Sequence, residues 1–422
     1  MLNHDFKNFE LRLDVLTHPD AGSGIAFHTA YQPSGQPAGG LTVTVSGSPT
    51  AAQPNQGQPR TGSLYPFRNV YKQLVPDGEW FQLNILVHGK QVQVRVNNTL
   101  VVDYIEPVPP IETGLIRGAL GHGTFALLGN AALGATHFKN IRVRPLPDSV
   151  TPLSDEKPTV DGLDREIVRL GAENFPMVDY HVHLKGGLTI EQALANSRRT
   201  GIFYGVAINC GLGFPVHDDS SVRDYLATMK GQACYVALQG EGREWMTLTS
   251  PDSIAKFDYC FTDAMTFSDD NGKRMRTWIP EEVGVIPDKQ AFMDMLVRRI
   301  VGVLHEPIDI YANATFLPDQ MAGDYDALWT PARMRKVIDA AIENDVAIEI
   351  NARRKIPSPA FIKAAKAAGA KFSFGTNNAE AELGRLEYPI RMVRECCLTW
   401  SDIFVPKPDG QKPIQVKKPH KG

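Results

Sequence analysis

The sequence MVDYHVHLKGG at residues 177–187 is typical of a buried strand that runs into a loop and then a helix. Side chains two positions apart lie on the same face of a strand, so we expect His181 and His183 to project together from its C-terminal end. Two imidazoles at such a strand end are the usual beginning of a metal site in a βα barrel. The alternative is a chance His-x-His pair, but the strand–loop–helix context favours the metal site.

Strand and helix patterns alternate from this stretch to the end of the chain. Helix starts are marked by the N-cap residues Asp288, Thr330 and Ser358, the last two followed by Pro. The predicted strands after the first one cover residues 203–209, 234–239, 259–262, 308–312, 346–350 and 371–374. About seven βα units result, which favours a closed barrel of parallel strands over an open sheet.

Polar or ionisable residues end almost every predicted strand. In a βα barrel such ends meet on one face, so their convergence is stronger evidence for a site than any single motif. They are, in chain order, His181 and His183; Asn209 with Cys210; Glu241 with Arg243 and Glu244; Asp263; Asn313; Glu349 and Asn351 with Arg353 and Arg354; and Asn377 with Asn378. Trp278, in a loop, is either a core residue or an aromatic platform for a sugar ring.

Residues 5–144 have a different pattern. Short segments of alternating polar and apolar residues, such as FQLNILV at 81–87 and VQVRV at 92–96, are separated by turn residues. This pattern predicts an antiparallel two-sheet sandwich. A linker rich in Pro, Ser and Asp follows at residues 146–161, and a helix is expected near residues 162–170.

Composition excludes several classes of protein. The chain has 422 residues, 43% of them hydrophobic and 22% charged, and a net charge of −3. No basic excess indicates nucleic-acid binding, and no apolar run is long enough to span a bilayer. No signal peptide is recognisable, so we expect a cytoplasmic protein, or a periplasmic or secreted one if the natural start lies upstream. Five Cys residues without CxxC spacing are expected to be reduced.

The N-terminal segment resembles the 3-keto-disaccharide hydrolase domain. The segments that carry the resemblance are FKNFELRLDV, SGIAFHT, RTGSLYPF, DGEWFQLNILVHGK and FKNIRVRPLP, and the resemblance covers nearly all of residues 5–147. The resemblance implies a concanavalin-like jelly roll that acts on, or binds, oxidised sugars.

This segment departs from its family at two chemically important places. The family's Glu-x-Gln strand is Thr42-Val43-Thr44 here, and its Gln-Gly-His turn is Leu128-Gly129-Asn130. Thr and Asn cannot replace a carboxylate and an imidazole in acid–base work, so we expect a weakened or inactive site. His28, Arg60 and Tyr65 are candidate sugar contacts, and structural hydrogen bonding explains them equally well.

The C-terminal segment resembles the PHP (polymerase and histidinol phosphatase) family, seven-strand relatives of the amidohydrolases. The matching pieces are DYHVHLKGG, the strand ending in Gly240-Glu241, IEINARRKIP and AGAKFSFGTNN, within residues 175–406. The resemblance implies that His181, His183 and Glu241 are metal ligands. The family's last-strand Asp and His are missing, since that signature is Gly375-Thr376-Asn377-Asn378-Ala379 here.

Other expected ligands are also replaced, which puts a three-metal centre in doubt. Asn313 stands where the family has a His after the fifth strand, and Asp263 lies near the position of a missing fourth-strand His. Two His and one Glu still suffice for one divalent ion, Zn²⁺, Mn²⁺ or Fe²⁺, with a position open for water. Asp263 is the candidate base, and Arg243 and Arg353 are candidate clamps for substrate oxygens. The candidate substrate contacts are Asn209, Asn313, Asn351, Asn377 and Asn378.

These observations predict an all-β jelly-roll sandwich followed by a distorted (βα)7 TIM-like barrel. The expected parts are the sandwich at 1–147, a linker and leading helix at 148–174, the barrel at 175–406 and a solvated, basic, Pro-rich tail at 407–422. The predicted function is metal-dependent hydrolysis of a small carbohydrate-derived substrate in the barrel, with metal-bound water as the nucleophile. The alternatives are 3-keto-glycoside hydrolase or lyase activity in the sandwich, and a non-catalytic sugar-binding protein with a decayed barrel.

Overall fold

The N-terminal residues form the predicted antiparallel β-sandwich. The computed structural model describes residues 5–35, 37, 39–50, 57–112, 118–130, 133–149 and 156–417, and within them two sheets of five and four strands. The strands are β1 (Phe9–Thr17), β2 (Gly22–Thr29), β3 (Leu41–Ser46), β4 (Leu64–Tyr65), β5 (Phe81–His88), β6 (Gln91–Val96), β7 (Thr99–Ile105), β8 (Thr124–Gly129) and β9 (Thr136–Pro145). One sheet has the order β7-β6-β5-β1-β9 and the other β4-β3-β2-β8.

Alternating side chains bury one face of each sheet. In β1, Phe9, Leu11 and Leu13 are buried while the residues between them are partly or fully exposed. Its partner β5 runs antiparallel, with Phe9 opposite Val87 and Leu13 opposite Leu83. Because the register keeps the buried positions of both strands on one face, their apolar side chains enter a common core.

The C-terminal residues form the predicted βα barrel. Among the described residues, seven parallel strands close it in the order β10-β11-β12-β13-β16-β17-β18. They are β10 (Val178–Val182), β11 (Phe203–Cys210), β12 (Tyr235–Gly240), β13 (Tyr259–Thr262), β16 (Ile310–Tyr311), β17 (Ala347–Asn351) and β18 (Phe372–Gly375). A short hairpin, β14 (Thr266–Ser268) and β15 (Arg274–Arg276), follows β13.

Helices separate these strands, and the predicted N-caps are confirmed. Asp288, Thr330 and Ser358 each accept a hydrogen bond from a main-chain N–H of the first turn of their helix. The helices are α1 (Gly162–Ala172), α2 (Ile190–Thr200), α3 (Asp219–Thr228), α4 (Trp245–Leu248), α5 (Pro251–Ile254), α6 (Pro280–Val283), α7 (Lys289–Leu304), α8 (Asp319–Ala322), α9 (Tyr325–Leu328), α10 (Pro331–Glu343), α11 (Pro359–Ala368), α12 (Glu387–Glu395) and α13 (Pro413–Val416), with a 3₁₀ turn at Trp400–Asp402.

A buried carboxylate joins the first and last barrel strands. Asp179 of β10 accepts hydrogen bonds from the main-chain N–H and the hydroxyl of Thr376, just after β18. It also accepts one from the main-chain N–H of His181 at 3.0 Å. These bonds fix the position of the His-x-His segment at the seam of the barrel.

The C-terminal segment differs from the solvated tail that the sequence predicts. Lys412 Nζ donates to the carbonyl oxygens of Ala255 and Phe257 at 2.6 and 2.7 Å, and Pro413 is buried. Lys417 Nζ donates to the carbonyl of Glu306 at 3.2 Å. Lys412 and Lys417 therefore satisfy main-chain carbonyls of the barrel, and residues 418–422 of the predicted tail lie outside the described residues.

The chain divides into two compact units. One is Met1–Val178 with Ile190–Phe203 and Gly231–Cys234, and the other is Asp179–Thr189, Tyr204–Lys230 and Tyr235–Gly422. The domain limits given above stay predictions. Over the part of the chain that the structure describes, no helix combines the length and the apolar character needed to cross a bilayer.

Candidate functional site

A cavity of about 520 Å³ opens where the barrel strands end. Seven of the predicted site residues line it: His183, Asn209, Glu241, Asp263, Asn313, Arg353 and Asn377. Four lie outside its wall: His181, Arg243, Asn351 and Asn378. Its volume is within the range of small-molecule sites. Seven of the predicted strand-end residues thus converge on one cavity, whose wall also contains apolar side chains.

His181 is buried behind the cavity wall and is held at both ring nitrogens. Its Nδ1 lies 2.5 Å from Glu349 Oε1, and its Nε2 lies 3.2 Å from Oε1 of Gln239, which lines the cavity. Burial alone would raise the pKa of Glu349, but the His181 imidazole and the hydrogen bonds from His181, Asn351 and Asn313 outweigh it and lower this pKa.

His183 lines the cavity and has one ring nitrogen without a hydrogen-bond partner among the described residues. Its Nδ1 lies 3.1 Å from the carbonyl oxygen of Ala207, so Nδ1 carries the proton and Nε2 presents a lone pair. Nε2 is buried and has no hydrogen-bond partner among the described residues. Burial, together with the nearby His181, holds the pKa of His183 well below its ordinary value, so this imidazole is neutral.

Asn378 forms two hydrogen bonds with the main chain of His183. Its Oδ1 accepts from the His183 N–H and its Nδ2 donates to the His183 carbonyl, both at 2.8 Å. The Asn378 amide thus satisfies the main-chain N–H and carbonyl of His183, just after the end of β10, as a neighbouring strand would. These bonds position the main chain at His183, and the substrate contact expected of Asn378 stays a prediction.

Two carboxylates, Glu241 and Asp263, share the cavity. Asn209 Nδ2 donates to Glu241 Oε1 at 2.6 Å, and Asn313 Nδ2 donates to Asp263 Oδ2 at 2.9 Å. Burial, with the adjacent Asp263 charge, raises the pKa of Glu241 to about 7. Burial also raises the pKa of Asp263. Paired carboxyl groups with raised pKa values are suited to proton transfer or to cation binding.

The side-chain amides form a chain that orients these groups. Asn313 Oδ1 accepts from Asn377 Nδ2 at 2.8 Å and from Asn351 Nδ2 at 3.2 Å. Asn351 Nδ2 also donates to Glu349 Oε2 at 3.0 Å. Asn313 and Asn377 have φ angles of 50° and 46°, a left-handed conformation that Asn tolerates better than most residues. Asn351 therefore lies outside the cavity wall and orients Asn313 and Glu349.

The two predicted arginine clamps have different surroundings. Arg353 lines the cavity, and its Nη1 donates to the carbonyl of Asn377 at 3.3 Å. Arg243 points away: it donates to Glu306 Oε1 at 2.7 Å, to Thr262 Oγ1 at 2.8 Å and to the main-chain carbonyl of Asp263 at 3.1 Å. Arg243 thus holds the strand end that carries Asp263.

Two cavity residues, Gln239 and Lys185, were missed by the sequence analysis. The signal was available, because Gln239 lies two positions before Glu241 and Lys185 two positions after His183, and alternate residues share a face. Glu349, a predicted strand-end residue, pairs with His181. Trp278 lines the cavity and is 40% exposed, whereas Trp245 is fully buried.

The donor types fit a divalent ion, but a closed metal site is not preassembled. Over the described ranges, no group of three or more His, Cys, Asp or Glu side chains is disposed to hold a metal ion. The orphaned Nε2 of His183 and the two neighbouring carboxylates are nevertheless the donors that a catalytic Zn²⁺, Mn²⁺ or Fe²⁺ uses. The carboxylate behind His181 is also typical of metal-binding histidines.

The sandwich has a cleft of its own, with a volume of about 420 Å³. Thr44 and Asn130, at the two places where the family resemblance fails, line it together with Arg60. His28 is held at both nitrogens, by the Lys7 carbonyl and the Gly121 N–H, and Tyr65 donates to a main-chain carbonyl. Of the three candidate sugar contacts, only Arg60 therefore lines the cleft.

Comparison with known proteins identifies the first domain only. The family model for the 3-keto-alpha-glucoside-1,2-lyase-like domain matches residues 1–144, so the N-terminal domain is 3-keto-alpha-glucoside-1,2-lyase-like. The barrel residues lie outside this match. No curated protein matches the chain.

Three of the solved structures similar to the chain each match about a third of it. A "putative glycosyl hydrolase" from Parabacteroides distasonis ATCC 8503 is 17% identical, with 34% of this chain and 74% of that chain covered and a TM-score of 0.29. The carbohydrate-binding module CBM66 from Bacillus subtilis is 11% identical, with 33% and 76% covered and a TM-score of 0.23. Sheep galectin-11 is 13% identical, with 34% and 97% covered and a TM-score of 0.20.

Proposed function

We propose that the barrel is a metal-dependent hydrolase whose centre is formed by His181, His183 and Glu241. The observation that carries the proposal is the lone pair of His183 Nε2, which is buried without a hydrogen-bond partner among the described residues and belongs to a cavity that also contains two carboxylates. A buried, unpartnered acceptor costs free energy unless a ligand satisfies it. A divalent cation bound in this cavity would satisfy the imidazole and the carboxylates together.

The residues around the centre suit an ion with an open position. His183 would bind through Nε2, and His181 through the Nε2 that now faces Gln239, with Glu349 behind its Nδ1. Glu241 would supply the oxygen ligand. A divalent ion held there would lower the pKa of a coordinated water and so provide a nucleophile near neutral pH.

The chain's own groups would handle the proton and the substrate. Asp263 Oδ2 is oriented by Asn313, and the raised pKa of this carboxyl group suits it to accept a proton from the attacking water and return it to the leaving group. Arg353 would hold an oxygen of the substrate. Asn209 and Asn377 would add neutral hydrogen bonds within the same cavity.

A carbohydrate-derived substrate is supported by the N-terminal domain. Residues 1–144 match a domain type named for a 3-keto-glucoside, and the proposal extends this substrate class to the barrel by analogy with the neighbouring domain. Trp278 offers an exposed aromatic surface in the cavity, on which a sugar ring can stack.

The test is elemental analysis of the full chain after incubation with Zn²⁺, Mn²⁺ or Fe²⁺. About one equivalent of metal is expected in the natural protein and none in the His181→Ala/His183→Ala variant. The matched control is His122→Ala/His217→Ala, which removes two imidazoles that are 71% and 58% exposed, and it should keep the metal. Absence of metal from the natural protein, or its retention in the first variant, refutes the proposal. A metal-loaded protein would then be assayed with phosphoesters, lactones and keto-sugars.

A second candidate is 3-keto-glycoside hydrolysis or lysis in the sandwich, or sugar binding without catalysis. Its support is the family match together with the 420 Å³ cleft that contains Arg60. Asp20 is the one carboxylate that lines this cleft within the described residues, and its two oxygens accept from the N–H and hydroxyl of Thr50. Turnover of a 3-keto-glycoside by the full-length His181→Ala/His183→Ala variant would support sandwich catalysis, and binding without turnover would support the non-catalytic role.

A further inference from the structure

Three cationic side chains line the barrel cavity: Lys185, Arg353 and Arg354, here called the basic cluster. Lys185 follows His183 by two positions, and the two arginines lie in the turn after β17. Asn351 Oδ1 fixes that turn by accepting from the Arg354 N–H at 2.8 Å. Among the described residues that line the cavity, only Glu241 and Asp263 carry negative charge.

The basic cluster has no carboxylate partner. Within the described part of the chain, no Asp or Glu oxygen forms an ion pair with Lys185, Arg353 or Arg354. The carboxylates of the cavity are occupied instead by the amides of Asn209 and Asn313. The charges of Glu241 and Asp263 act on Lys185 and Arg354 without forming an ion pair with them, so an anionic ligand would supply the direct partner that these cations lack.

Arg354 has the clearest unfilled hydrogen-bonding capacity of the three. Its guanidinium carbon lies 4.3 Å from the centroid of the Phe316 ring, which holds the group in place. Its Nε is buried, and no hydrogen-bond acceptor within the described residues reaches it. A planar guanidinium with a free N–H is suited to a carboxylate or phosphate oxygen.

The remainder of the cavity is suited to a sugar ring. Trp278 and Phe214 contribute aromatic surface to the wall, and Asn209 and Asn377 contribute amides. Aromatic faces bind the C–H faces of a pyranose, while amides bind its hydroxyl groups. The combination with the basic cluster indicates a sugar that carries one acidic group.

We propose that the barrel cavity selects an anionic sugar, a sugar acid or a sugar phosphate, whose acidic group binds the basic cluster of Lys185, Arg353 and Arg354. This inference rests on the proposed function only in taking the same cavity as the substrate site. The cluster contains no predicted metal ligand, so its ligand preference can be measured without metal.

The test is calorimetric binding of three matched probes, glucose, glucuronate and glucose 6-phosphate, to the full-length protein with and without EDTA. At least one acidic probe should bind about tenfold or more tightly than glucose, and which one does identifies the acidic group. Arg354→Gln and Lys185→Gln should each weaken that probe about fivefold to tenfold and leave glucose unchanged. Lys363→Gln, at an exposed position of α11, is the matched control and should bind like the natural protein.

The outcomes separate this inference from the metal proposal. Preference for an acidic probe that persists in EDTA supports the basic cluster, even if elemental analysis finds no metal. Equal affinity for all three probes, no binding of any probe, or unchanged affinity in both variants overturns the inference. Binding of acidic probes that requires added metal also overturns it, because the ion would then be the anion's partner. Urea unfolding of each variant checks that it is folded.

Discussion

His181 Nδ1 lies 2.5 Å from Glu349 Oε1, and the two side chains are only 1% and 2% exposed. Glu349 Oε2 accepts two more hydrogen bonds, from the Asn313 N–H at 2.6 Å and from Asn351 Nδ2 at 3.0 Å. One buried carboxylate therefore receives donors from three segments of the barrel. It fixes the orientation of the imidazole and joins β10 to β17.

We expect Glu349→Gln to destabilise the protein by roughly 2–4 kcal/mol. The variant keeps the size of the side chain, but its NH₂ group must face one of three donors in a site without solvent. The measurement is the free energy of unfolding in urea. Glu343→Gln, at an exposed position of α10, is the control and should change it by less than about 0.5 kcal/mol. Equal effects of the two substitutions would show that the buried pair adds no stability.

The raised pKa of Glu241 predicts a pH-dependent stability. This pKa is about 7 in the folded protein, and its ordinary value is 4.5. Between pH 4.5 and pH 7, the folded protein therefore keeps a proton on Glu241 that the unfolded chain has released. The stability that Glu241 contributes is therefore present below pH 4.5 and is lost as the pH rises through 7. In metal-free protein, Glu241→Gln should be relatively more stable at pH 8 than at pH 5, by roughly 1–3 kcal/mol.

Urea unfolding of both proteins at the two pH values, in EDTA, makes this measurement. Glu343→Gln again serves as the control and should show no such difference between pH 5 and pH 8. If Glu241→Gln shifts stability equally at both values, the carboxyl group titrates in its ordinary range and the proposed interaction with Asp263 is absent.

The barrel itself was predictable because it follows from local patterns. Strand alternation places His181 and His183, and the caps at Asp288, Thr330 and Ser358 fix helix starts. These are short-range effects of backbone geometry, and seven βα units in succession favour a closed barrel over an open sheet.

The roles of individual strand-end residues could not be predicted in the same way. Arg243 and Arg353 both follow a strand end, yet one is bound by Glu306 and the other lines the cavity. Whether a side chain turns inward or supports a neighbour depends on partners far away in sequence. The same holds for Lys412, whose acceptors are more than 150 residues away.

Lys412 should contribute to the stability of the barrel. Its Nζ donates to the carbonyls of Ala255 and Phe257, so Lys412→Met leaves these acceptors unsatisfied. We expect a loss of roughly 1–3 kcal/mol in the free energy of unfolding. Lys407→Met is the matched control from the same segment, because Lys407 pairs with an Asp345 side chain that is 73% exposed, and it should cost less than about 1 kcal/mol. A larger loss for Lys407→Met would contradict this assignment.

We expect Arg243 to stabilise the fold and Arg353 to bind the ligand. Arg243→Met removes the partner of Glu306, which is 9% exposed and retains only a 3.2 Å hydrogen bond from Trp245 Nε1, so we expect a stability loss of roughly 2–3 kcal/mol. Arg353→Met removes an exposed side chain and should change stability by less than about 0.5 kcal/mol.

The ligand affinities should have the opposite order. Arg353→Met should weaken glucuronate or glucose 6-phosphate binding about fivefold to tenfold, because the acidic group of the probe loses a cation that lines the cavity. Arg243→Met should leave that affinity within about twofold at a temperature where the variant is folded, since its guanidinium donates away from the cavity. Unfolding in urea and calorimetric binding, made on the same preparations, test both statements. A variant of Arg243 that keeps full stability but loses the acidic probe would return Arg243 to the site where the sequence alone predicted it.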